Sequence, residues 1–391
     1  RLGVGTSSPT RQMSVENTLA NGGGSLGITS SDSSTSGSLG IIHFGNSTDS
    51  SLASIGGLAD GSTSAGALLF KTEAAGGAIE EKMRIDSSGK VGIGTDSPSA
   101  TLDVDGTIKL DGNYPVGTGN VALGDTALDS ASGSNGYSVA IGTNALTAMT
   151  SGGANVGVGY ASAASITTGG NNIAVGSQAL DATTTASNNV AVGSAALGSN
   201  TTASNNTAVG FQAGYANTTG DRHVALGYEA LKANTTGYRN NAIGYLALTT
   251  NTTGFQNNAL GVNALRYNTT GTNNVAIGHE AGLSVTTGVN NTLIGGLAGD
   301  ALTTGSDNTV LGKSALSAGV ASFYNTAIGH NALAADTTGR LSVAVGRNAL
   351  AAQNNTSSAN MYNTAVGSSA GAAVTTGINN TLIGGLAGDA L

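Results

Sequence analysis

The chain has no cysteine, no tryptophan and only 3 prolines. Without cysteine it can be neither a disulfide-stapled scaffold nor a thiolate metal site. Charged residues make up 9% of it and aromatics 4%, against a usual charged share of about 25%. So little charge excludes a coiled coil or a polyampholyte disordered chain. The net charge is −8, which argues against a nucleic-acid partner. No run approaches the ~18 apolar residues of a membrane-spanning helix. Glycine is abundant instead, at 62 of 391 residues. Collagen is still excluded, because those glycines do not fall at every third position and proline is scarce.

Internal repeats decide the rest. The motif Asn-x-Ala-aliphatic-Gly sets a ruler whose glycines run from Gly124 and Gly142 through Gly346 to Gly367 and Gly384. From Gly142 to Gly346 every spacing is 17 residues, with one spacing of 18 before that stretch and one of 21 after it. Sixteen repeats therefore cover residues 120–391. The residue before the ruler glycine is always Val, Ile or Leu; the residue three after it is Ala in 15 of 16 repeats, and the next is Leu in ten and Gly in five.

Val275-Ala276-Ile277 alternates with period two, which is a strand pattern, and Asn and Gly at its ends supply turns. Seventeen residues allow two short strands and two turns. One such unit cannot bury an apolar face alone, so coils must stack into an all-β parallel solenoid. Val175, Val192, Val209, Ile243 and Ile277 are expected to form its inward core column. The Ala face of the strand is expected to suit close packing between chains. Asn stands four before the glycine in 13 of 16 repeats. Asn172, Asn189, Asn206, Asn274 and Asn291 should then stack as a hydrogen-bonded amide ladder at about 4.8 Å per coil.

Residues 1–112 follow another plan. Leu2-Gly3-Val4-Gly5-Thr6-Ser7-Ser8-Pro9 recurs 89 residues later as Val91-Gly92-Ile93-Gly94-Thr95-Asp96-Ser97-Pro98. Residues 113–119 read as the linker into the solenoid. The chain starts at Arg1, and no signal peptide follows. Both ends fall within repeated modules, so the sequence reads as part of a longer protein whose coils continue beyond Leu391.

Little in the chain suggests catalysis. His279 and His330 share the column after the glycine, three coils apart, too far for one metal ion within a chain. The same column holds Asp125, Lys313 and Arg347, which places it at solvent. No acid pair recurs at a general acid/base spacing, and no Gly-x-Gly continues into a dinucleotide fingerprint. Asn-Thr-Thr at Asn217, Asn234, Asn251 and Asn268 matches a glycosylation sequon but reads as a repeated turn. The expectation is no enzyme, no cofactor and no metal. Phe211, Tyr228 and Tyr245 occupy one column on three consecutive coils, with Tyr160 earlier in it; Tyr238 and Phe255 stack in a neighbouring column. These rings are the candidate receptor or glycan contacts, against the alternative that they stack on one another.

Ser138-Val139-Ala140-Ile141-Gly142 and Asn273-Asn274-Val275-Ala276-Ile277-Gly278 resemble the head repeats of trimeric autotransporter adhesins. That resemblance implies a left-handed parallel β-roll and a side-by-side homotrimer. The period of 17 is longer than is usual in those heads. Arg84-Ile85-Asp86-Ser87-Ser88-Gly89 running into Val91–Pro98 resembles a module of bacteriophage tail fibres, which are also homotrimers. Together the resemblances imply an extracellular, virion-borne fibre segment that meets a bacterial surface glycan or protein. The alternatives are the head of a surface-anchored adhesin and a self-assembling extracellular filament.

Overall fold

The computed structural model describes residues 14–17, 24–27, 38–44, 52–61, 65–74, 77–106, 119–131, 136–357 and 359–390. The first motif copy, Leu2–Pro9, and all of the expected linker except Gly119 lie outside them. The chain divides into two compact units, Arg1–Lys109 and Leu110–Leu391. Every element described is a strand.

In the first unit, β1 (Ser14–Asn17) and β2 (Gly24–Gly27) form an antiparallel pair. A six-stranded sheet follows: β3 (Ser38–Phe44), β4 (Ala53–Ala59), β5 (Gly66–Glu73), β6 (Ile79–Ile85), β7 (Val91–Ile93) and β8 (Leu102–Val104). It is an antiparallel meander through β7, and β8 adds in parallel. The Gly-x-Gly of the motif has a steric cause here. A Cβ on Gly92 would lie 2.7 Å from the Thr95 carbonyl oxygen, and one on Gly94, at φ +79°, would lie 2.6 Å from that of Asp105. Only glycine lets the backbones approach so closely.

The second unit is a parallel solenoid. Its strands are β9 (Val121–Leu123), β10 (Val139–Ile141), β11 (Val156–Val158), β12 (Ile173–Val175), β13 (Val190–Val192), β14 (Thr207–Val209), β15 (Val224–Leu226) and β16 (Asn241–Ile243). They continue as β17 (Asn258–Leu260), β18 (Val275–Ile277), β19 (Thr292–Ile294), β20 (Thr309–Leu311), β21 (Thr326–Ile328), β22 (Val343–Val345), β23 (Thr364–Val366) and β24 (Thr381–Ile383). All 16 join one sheet in sequence order, and each residue pairs with its equivalent one coil on, as Ala259 with Ala276. At about 4.8 Å per strand the sheet is roughly 75 Å long.

Each coil carries one strand rather than the two its length allows. The reason lies after the ruler glycine. Glu229 and Leu231 have φ of 50° and 54°, and the same two positions are left-handed in coil after coil. Alternate left-handed residues cannot pleat. The segment still bonds coil to coil: Glu229 N–H donates to Phe211 O at 2.9 Å, and Leu231 N–H to Ala247 O at 2.9 Å. It satisfies its amides in both directions without being a strand.

The left-handed position four after the ruler glycine explains the Leu-or-Gly column. Leu accepts the backbone cost there because its side chain is fully buried, as in Leu248 and Leu265. Gly relieves the backbone but leaves a hole, and neighbours fill it. A Cβ on Gly282 would meet Leu293 Cδ1 at 2.7 Å and Val285 Cγ2 at 3.4 Å. The set recurs 89 residues on: a Cβ on Gly371 would meet Leu382 Cδ1 at 2.8 Å and Val374 Cγ2 at 3.4 Å. Here Leu replaces the usual strand Ala, and Val the residue seven after the glycine, so the core volume is conserved.

The expected core column is corrected by this packing. Val175, Val192, Val209 and Ile243 are half-buried and Ile277 is 38% exposed. They face outward. The strand Ala of the same coils, Ala174, Ala191, Ala208, Ala242 and Ala276, lies inside at no more than 2% exposure. So does the Ala three after the glycine, as Ala247 and Ala264. Ala takes the inward position where a coil also buries two Asn columns and a Leu column; Leu293 and Val310 take it, fully buried, in coils where the second Asn column has ended. Ala fits the space, so the period-two pattern is right and its facing is reversed.

Candidate interaction surface

The interior of the solenoid is held by amides. Asn189 N–H and Nδ2 donate to Asn172 Oδ1 at 3.0 and 3.2 Å, and Nδ2 also donates to Ala203 O at 3.0 Å. Asn206 N–H donates to Asn189 Oδ1 at 3.0 Å. Asn291 repeats the pattern on Asn274, at 3.0 and 3.1 Å. All five predicted ladder residues are fully buried. Each amide spends its donors and its acceptor inside the coil stack, which burial demands.

A second ladder was not read from the sequence. Asn217, Asn234, Asn251 and Asn268 each donate Nδ2 to the preceding coil's Asn Oδ1, beginning at Asn200, over 2.7–3.0 Å. Each also reaches the carbonyl three residues on, as Asn251 to Gly254 at 2.9 Å. The signal was present as the Asn-Thr-Thr period. These side chains are buried, so the sequons serve the core. The ladder is directional and ends where Val285 follows Asn268. Asn268 Oδ1 is buried there with no hydrogen-bond partner.

His223 stands in the first ladder in place of Asn and is 2% exposed. Its N–H donates to Asn206 Oδ1 at 2.9 Å, and its Nδ1 accepts from Asn240 N–H at 3.1 Å. Nε2–H is left for the Gly237 carbonyl, the role that Asn240 Nδ2 plays toward Gly254. Burial outweighs these bonds and pushes the imidazole pKa down to about 4. It is a neutral substitute for Asn rather than a ligand. In the other column, Asp336 is fully buried with Oδ2 unpartnered, and burial pushes its pKa up to about 6.

The aromatic columns form as stacks. Phe211–Tyr228 and Tyr228–Tyr245 have centroids 5.5 and 5.3 Å apart with interplanar angles of 19° and 16°. Tyr238–Phe255 lies at 4.8 Å and 4°. Tyr228 therefore has a ring on either side. The inner faces that a sugar would cover are taken by neighbouring rings. Tyr160 stands apart, because Ser177 and Ser194 occupy the two coils between it and Phe211. His279 and His330 are exposed, and among the described residues no three His, Cys, Asp or Glu gather to hold a metal ion. No described helix is long and apolar enough to cross a membrane.

What the chain does present is the outer side of the long sheet. Its column before the ruler glycine is aliphatic on all 16 strands, and the column two residues earlier holds Val, Ile, Thr and Asn. Neither contains a charge. Leu226, Leu260 and Leu311 are 44–46% exposed. Two columns about 7 Å wide over roughly 75 Å give about 500 Å² of uncharged face, of which the aliphatic column is about half. No family model matches the chain, and no curated protein matches it.

Proposed function

We propose that this chain is a structural and adhesive fibre segment, the shaft or head of a trimeric phage-type tail fibre that meets a bacterial surface. The observation that carries the reading is the uncharged aliphatic stripe on the outside of the solenoid. A chain acting alone would leave it in water; parallel copies side by side would bury it. The adhesin-head and tail-fibre resemblances both favour three copies. Function in this reading is mechanical: amide ladders resist bending, and the length of the coil stack sets a receptor-binding element away from its base. The receptor is a bacterial surface glycan or protein. The stacked aromatics stiffen the rod, since their faces are spent on one another, and no residue has a catalytic role.

Light scattering tests the assembly. The expected mass is that of three chains. Ile243→Asp with Ile277→Asp, both on the outer face, should give the mass of one chain with an unchanged β-type circular dichroism spectrum. A wild-type mass of one chain would sink the proposal.

A further inference from the structure

The outer face has a weakness as a docking surface. Its chemistry repeats every coil, so a copy displaced by one coil, about 4.8 Å, meets nearly the same side chains. Aliphatic stripes of this kind specify contact but not alignment. The neighbouring column does little better over most of its length, because Thr and Val have the same branched shape.

Two residues break the pattern. Asn241 and Asn258 stand on consecutive strands β16 and β17, facing outward in the column otherwise filled by Val, Ile and Thr. Asn241 Nδ2 donates to Asn258 Oδ1 at 2.7 Å. That leaves Asn241 Oδ1, its second Nδ2 hydrogen, the second lone pair of Asn258 Oδ1 and the Asn258 Nδ2 group with no further side-chain bond within the chain. Each amide thus keeps both a donor and an acceptor, so the pair can bond to the same pair on another copy. Ile243 and Leu260 lie beside them on the same strands, with the ring of Tyr245 just beyond the sheet edge. Under an apolar partner surface these amides need partners; an aligned copy sets both of its amides against them, a copy displaced by one coil sets only one, and a larger displacement sets none.

We propose that the Asn241–Asn258 pair sets the axial register between parallel copies of this chain. The proposal rests on the side-by-side assembly put forward above. It assigns the pair the part that a single buried polar residue plays in a helical zipper, where alignment is gained at some expense of affinity.

The absence of cysteine makes the test clean. Ser194→Cys and His279→Cys carry orthogonal spin labels on separate chains; the two sites share one exposed column, five coils apart, or roughly 24 Å along the rod. Mixed assemblies of the otherwise wild-type chain should give one distance between unlike labels. Asn241→Val with Asn258→Val should keep the oligomeric mass and show added distances, from copies displaced by multiples of about 4.8 Å. Asn241→Thr with Asn258→Thr, which copies the side chains of Thr207 and Thr292, should do the same and guards against a misfolded first variant. A single unchanged distance in both variants overturns the register proposal and leaves the assembly intact. Loss of oligomeric mass in the variants also overturns it, since the pair would then supply affinity. A wild-type chain that scatters as a monomer removes the assembly itself.

Discussion

Replacing His223 with Asn should abolish a pH dependence that the wild-type solenoid carries in its core. Asn already occupies this column in the coils on either side, at Asn206 and Asn240, so the substitution restores a ladder the fold is built to hold. The histidine's pKa falls from its ordinary 6.5 to about 4 in the folded chain. As pH drops below 6.5 the unfolded chain takes up a proton that the folded chain refuses. Stability from this group is therefore complete above pH 6.5 and declines until about pH 4. Between pH 7 and 4.5 the loss amounts to about 2.5 kcal/mol. The geometry gives the same sign: a proton on Nδ1 would point at Asn240 N–H, which that nitrogen now accepts. The assay is urea unfolding followed by circular dichroism at the two pH values, beside an NMR titration of the imidazole. The wild type should lose about 2.5 kcal/mol more than His223→Asn over that interval. Equal losses in the two proteins, or an imidazole titrating near 6.5, would refute the reasoning.

Asp336 should act in the opposite direction. Its folded pKa is raised to about 6 from 3.8, so its contribution is present below pH 4 and lost as pH rises through 6, by about 3 kcal/mol in full; Asp336→Asn should unfold in urea with that slope removed. Gly278→Ala should destabilise severely, because its φ is +133° and a Cβ would lie 2.7 Å from the Gly295 carbonyl; a fall in melting temperature should exceed that for an exposed Ser194→Ala. Asn257→Ala should cost about 2 kcal/mol in denaturant unfolding. It strands Asn274 N–H, which donates to Asn257 Oδ1 at 3.0 Å, and removes the Nδ2 bonds to Asn240 Oδ1 and Gly271 O, which keep the backbone N–H of residue 257 and Asn268 Nδ2 as donors. Val285→Asn should not stabilise. It would satisfy Asn268 Oδ1 but set a new orphan carbonyl against Leu302, and it would empty the space beside Gly282 that Val285 fills.

The period of 17, the strand at each repeat and the stacking of equivalent residues were legible in the sequence, because a solenoid repeats its local physics at every coil. The Asn ladder was legible for the same reason: an amide recurring at one position of a thin coil can pair only with its own copies. The recurring Asn-Thr-Thr carried the second ladder just as plainly, but a turn explained it without reference to burial. The facing of the strand was not legible. Alternation fixes that Val and Ile share one side and Ala the other, yet the same pattern serves either orientation. Only the space left by the other buried columns decides: it takes Ala in most coils, and Leu293 or Val310 where the second Asn column has ended. Nor does sequence announce left-handed leucines; Leu is accepted at such a φ because the tertiary stack buries it and rewards it. The aromatic columns were read as candidate glycan contacts, with stacking as the alternative; the stacks are present, and they occupy the faces between neighbouring rings. Sequence by itself thus determined the repeat, its pairing register within the chain and its first amide ladder. Tertiary structure decided which side is inside, and so turned the expected core column into an outward apolar stripe.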